Sequence, residues 1–240
     1  DRWLRAYGSF PHPNILAMFV AVALLLISAR AERSRLVRAA QIAGVVALSL
    51  TFSRSAWLAL TLGTLAWVVT TRGWRGITRW TLEQMRRRRT LAMLVALGLL
   101  AAGARVTQLD AFPEANSLTQ RSTYDAAAWS LVAQGVPVGA GNILIAQQRQ
   151  GIAVGEPAHN VVLIALAELG LPGVVAWLVL LATVVIAARR QTDRRGRAAM
   201  ITVAVALLPL LLLDHYLWTQ PLGRIWLVLP LAIAAVRSRS

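Results

Sequence analysis

At 240 residues the chain is long enough for one or two soluble domains, but 57% hydrophobic and 15% charged residues, with a mean hydropathy of +0.59, place it in a bilayer and all but exclude a soluble globular enzyme. All 25 basic residues are Arg, set against 10 acidic ones for a net charge of +15. Cysteine is absent, which excludes disulfides, thiolate metal sites and a cysteine nucleophile.

The opening residues, DRWLRAYGSFPHPN, lack the basic, apolar, small-residue order of a signal peptide. Apolar stretches then follow at Ile15 to Ala29, Leu36 to Phe52, Ala56 to Thr71, Leu91 to Val106, Val161 to Ala188, Ala198 to Leu213 and Ile225 to Val236. Several fall short of the roughly 20 residues a spanning helix needs, so Trp, Thr and snorkelling Arg from the flanks should complete them. The expected fold is all-α: a polytopic membrane helical bundle of about seven spans, with a helical loop between spans four and five. Its parts are a four-span segment over 1–106, an outer loop over 107–158 and a three-span segment over 159–240.

The arginines fix a topology. Arg30 to Arg38, Arg72 to Arg89, Arg189 to Arg197 and Arg237 with Arg239 occupy alternate connectors, as one side of a membrane requires. The positive-inside rule makes that side cytoplasmic, with the C-terminus. These connectors carry the entire net charge, while the outer segments are neutral. The high charge therefore reflects topology and anionic membrane lipids as partners rather than nucleic acid.

In the outer loop, Thr119 to Gln134 reads as an amphipathic helix bearing Tyr124 and Trp129, broken by Pro137, Gly139 and Gly141. After Gly151, Gly155 and Pro157 the apolar pattern resumes at His159. Glu168, Gly170, Pro172 and Gly173 interrupt it about ten residues in, giving a short helix, a break and a span.

No acidic cluster, HExxH or GxxxxGK[ST] pattern occurs, and the three histidines lie far apart in sequence. No metal and no cofactor is expected, so an enzyme acting on anionic groups would neutralise them with outer arginines. Arg54, in an apolar sequence of about 35 residues that must fold back on itself, is either a snorkelling arginine or a fixed fork of donors for phosphate. Arg121 is either a solvated helix residue paired with Asp125 or a second such fork. His159, at the start of the short helix, should have its ring kept neutral by the helix N-terminus; that suits a general base, and equally a helix-capping role. Glu168, inside an apolar stretch, reads as functional by default, unless the chain unwinds at Gly170 and keeps it wet.

FPHPN before a span, TFSRSAWLAL, Arg121 to Trp129 followed by PVGAG, and AHNVVLIALAELGLPGV together resemble the O-antigen ligase and polymerase family of bacterial membrane glycosyltransferases. Such proteins usually carry further spans before the FPHPN-like segment, so the chain is similar to the family's C-terminal portion. The resemblance implies metal-independent, inverting transfer of a glycan from an undecaprenyl-diphosphate carrier to an acceptor hydroxyl on a glycan, lipid or protein. It places this at the outer, periplasmic face of the inner membrane. Carried over, Arg54 and Arg121 grip the diphosphate and His159 acts as base, with Asn160, Glu168, Gly139 and Gly141 in support. The alternatives are a flippase-like permease for a lipid-linked sugar and a non-catalytic subunit of a polysaccharide assembly system.

Overall fold

The computed structural model describes residues 6, 8–29, 34–73, 114–134, 137–149, 151 and 156–237. The expected fourth span, Leu91 to Val106, lies outside these residues, as do Arg30, Arg33, Arg75 to Arg89, Gly155 and Arg239. Regular structure among the described residues is entirely α-helical: α1 (Pro13–Ala29), α2 (Arg35–Thr51), α3 (Arg54–Arg72), α4 (Glu114–Ala133), α5 (Ile143–Arg149), α6 (Val161–Leu169), α7 (Leu171–Arg190), α8 (Arg194–Leu213), α9 (Tyr216–Thr219) and α10 (Pro221–Arg237). Every other apolar stretch of the sequence is helical. Among the described residues two helices, α7 and α8, are long and apolar enough to cross a membrane by length and composition; α1 and Pro221–Ile233 are shorter apolar helices. α7 leaves Leu171, Val175, Leu178, Val179, Leu181, Val185 and Ile186 exposed, an apolar surface that water would not tolerate and acyl chains would cover.

The chain forms two compact units, Asp1–Thr107 with Ala187–Pro209 and Leu229–Ser240, and Gln108–Ile186 with Leu210–Val228. In the first, α1 packs on both α2 and α3 around Ala17, Val20, Ala21, Leu24, Val45, Leu48 and Ala56. The many alanines let helix backbones approach closely, which is how helices associate where lipid removes the hydrophobic drive. The fold-back anticipated near Arg54 is real and short: Phe52 takes the left-handed conformation (φ 53°), and α3 begins two residues later. Thr51 ties the turn, its hydroxyl donating to the Leu48 carbonyl at 2.6 Å and accepting the Ser53 N–H at 3.3 Å. The Arg194 guanidinium donates to the Thr71 carbonyl at 2.7 Å, fastening the start of α8 to the end of α3.

In the second unit α6 is the hub, packed by α4, α5 and α9 around Ala128, Leu131, Ile143, Ala158, Leu163, Ile164 and Ala167. α4 begins five residues before the expected amphipathic helix and ends one residue short of it, at Ala133. The expected short helix, break and span are α6, Gly170 and α7.

The glycine-rich PVGAG segment docks on the C-terminal end of α6. Ala140 N–H donates to the Ala167 carbonyl (2.8 Å), Gly141 N–H to the Glu168 carbonyl (3.1 Å) and Leu171 N–H to the Pro137 carbonyl (3.0 Å). The first two satisfy carbonyls that the end of α6 leaves without partners, and the third satisfies an N–H at the start of α7. Gly139 has φ +81°, and a Cβ there would fall on the Glu168 carbonyl. Gly139→Ala is therefore expected to lower the unfolding midpoint of the detergent-purified protein. Backbone strain contributes about 1–3 kcal/mol, and the steric clash adds to it. An unchanged midpoint would show that this docking is not tight.

Candidate functional site

His159 stands at the entrance to α6. Asn160 caps that helix by accepting the Leu163 N–H at 3.0 Å, so the His-Asn pair divides its work: the asparagine begins the helix and the histidine precedes it. Asp125 on α4 accepts the His159 backbone N–H at 3.1 Å, which fixes the chain without using the imidazole. The ring stacks on Tyr124 (centroids 6.2 Å, planes 9° apart) and meets His215 edge-on (5.2 Å, 89°). Its Nε2 lies 3.7 Å from Glu156 Oε2, and its side chain is 13% exposed.

Arg121 lies one turn before Asp125 on α4. Residues four apart share a helix face, so Arg121 sits about 6 Å along the axis from the point where α4 holds the His159 segment. It is half-buried. Asp125, the ion-pair partner its spacing allows, is engaged by the His159 backbone. The second unit thus brings Tyr124, Asp125, Glu156, His159 and His215 into one neighbourhood, with Arg121 one turn before Asp125 on α4. Arg54 belongs to the first unit, as the exposed first residue of α3 behind the Phe52–Ser53 turn.

Glu168 has a structural use. Its carboxylate accepts the Ile143 N–H at 3.0 Å and the Trp218 indole N–H at 2.8 Å, tying the start of α5 and helix α9 to the end of α6. Gly139 and Gly141 belong to the docked PVGAG turn. Each of these supporting residues has a definite place in the scaffold around the His159 segment.

Two features are absent from the sequence reading. Helix α5 was signalled by Asn142, whose side chain accepts the N–H groups of Leu144 and Ile145 as a cap. His215 had no signal: nothing in the sequence says that the Asp214–His215 turn returns to the start of α6. The fold consequently places Glu156, His159 and His215, with one ligand atom from each within 4.8 Å of the others, where the sequence showed only scattered acids and separated histidines.

The O-antigen ligase family model matches residues 39–178, which is more than half of the chain. The chain belongs to the O-antigen ligase family. No curated protein and no solved structure matches it. The matched region contains Arg54, Arg121, His159 and Glu168, while His215 lies beyond it. The O-antigen ligase family is membrane-associated and bacterial, with ligase activity of the glycosyltransferase type; its substrates are glycans and lipid-linked glycans.

Proposed function

We propose that this O-antigen ligase family member transfers a glycan from an undecaprenyl-diphosphate carrier to an acceptor hydroxyl on lipid A core, a growing polysaccharide or a protein. The reaction is a single inverting displacement that needs no metal. His159 takes the proton of the attacking hydroxyl, the acceptor oxygen bonds to the anomeric carbon, and the bond from that carbon to the diphosphate breaks with its electron pair going to phosphate. Arg54 and Arg121 stabilise the charge that develops on the leaving diphosphate, which gives their guanidinium forks more to do in the transition state than in the ground state.

The observation that carries this reading is the placement of His159: flanked by Glu156 and clamped through its backbone by Asp125, which lies one turn after Arg121 on α4. Asn160 positions the ring by starting α6, and Glu168, Gly139 and Gly141 keep the end of α6 in place.

In the proposed topology about seven spans cross the inner membrane, four in 1–106 and three in 159–240. The loop 107–158 and the site face the periplasm, and the C-terminus is cytoplasmic. The bond from Arg194 to Thr71 supports this, since it joins two connectors assigned to the same side.

The test is transfer by the purified protein in detergent, supplied with a lipid-diphosphate glycan and an acceptor. Release of free carrier diphosphate with formation of glycosylated acceptor is the expected result. Translocation of the lipid-linked glycan in liposomes without release would instead establish a permease.

A further inference from the structure

The return of the Asp214–His215 turn to α6 creates a ligand set that the transfer reaction does not call on. His215 is 5% exposed. Its Nδ1 lies 2.9 Å from the Thr219 hydroxyl, a hydrogen bond that anchors the ring. A metal-ligating histidine usually has its other ring nitrogen held by such a bond.

His159 and Glu156 complete the set. Two imidazoles bound to one tetrahedral zinc through nitrogens at about 2.0–2.1 Å hold their ring centroids about 5 Å apart. The centroids of His159 and His215 are 5.2 Å apart. Ligand atoms around such an ion lie about 3.3 Å from one another, close to the 3.7 Å from His159 Nε2 to Glu156 Oε2. Glu156 is 55% exposed, so an ion would have a path in from solvent and room for water at a fourth position.

We propose that Glu156, His159 and His215 form a binding site for a zinc-class divalent cation. Two nitrogens and one carboxylate suit zinc better than magnesium or calcium, which prefer oxygen throughout. Occupancy engages the lone pair of His159, so the ion inhibits glycan transfer. That consequence rests on His159 being the base, whereas the binding site does not.

The experiment titrates zinc chloride into the full chain in detergent micelles, measuring bound metal, and measures transfer in parallel with and without EDTA. Wild type is expected to bind one ion per chain. His215→Asn, which keeps a hydrogen-bonding group for Thr219 but lacks the imidazole, and Glu156→Gln, at an exposed position, should lose that binding. Thr219→Val, which removes only the orienting hydroxyl, should weaken it about 10- to 100-fold. Equal affinity in wild type and Glu156→Gln, or in wild type and a folded His215→Asn, overturns the site. Site-specific binding that leaves transfer unchanged upholds the site and overturns His159 as the base, so the two failures are distinguishable.

Discussion

His159→Ala should slow glycan transfer about 10²- to 10⁴-fold, the usual loss when a positioned base is removed. The fold should survive, because the bond to Asp125 comes from the backbone N–H and is available to any residue but proline. The cap on α6 belongs to Asn160, which is untouched. What disappears is the imidazole, with its stacking on Tyr124 and its approach to Glu156. The loss should fall on kcat, since the ring acts on the acceptor proton and not on the diphosphate, and donor affinity should stay near that of wild type. Steady-state release of carrier diphosphate, alongside donor binding, reads both quantities. A rate within a few-fold of wild type would remove His159 from the chemistry.

Arg121→Ala should cost about 10²- to 10³-fold in kcat/KM, comparable to deleting one donor from an oxyanion site. Its position on α4 argues for more than solvation: Asp125, the acid one turn away, holds the His159 backbone. Arg121→Lys is the sharper variant. It keeps the charge but replaces a planar fork with a point donor, so a bidentate grip on phosphate predicts that it fails almost as badly as alanine. Full activity in the lysine variant would reduce the role of Arg121 to a general positive field.

Much of this site could be read from the sequence because its signals are local. A proline and glycines before His-Asn, then an apolar run, announce a capped helix, and Asn160 is that cap. Gly170 and Pro172 announce the break between α6 and α7. The turn before Arg54 was forced by an apolar stretch too long for one span, although the left-handed Phe52 that makes it has no glycine to advertise it. The meaning of PVGAG was half visible: its glycines signalled a turn, but not that the turn packs on the carbonyls of Ala167 and Glu168.

The illegible parts are long-range. Glu168 reads as an awkward charge in an apolar run until α5 and Trp218 bring it two N–H donors. His215 carries no local signal until chain closure sets it 5.2 Å from His159. Sequence spacing cannot report a neighbour 56 residues away, and the absence of a metal motif in the linear order said nothing about the group that folding assembles.

Equilibrium binding of a lipid-diphosphate glycan to wild type, Arg54→Ala, Arg121→Ala and the double variant tests the proposal most directly, because it asks whether the two arginines hold one diphosphate. A shared ligand predicts that each single variant binds weakly and that their effects are coupled by about 0.5–3 kcal/mol. Additivity within about 0.3–0.5 kcal/mol, the behaviour of independent positions, or wild-type affinity in either single variant would contradict it.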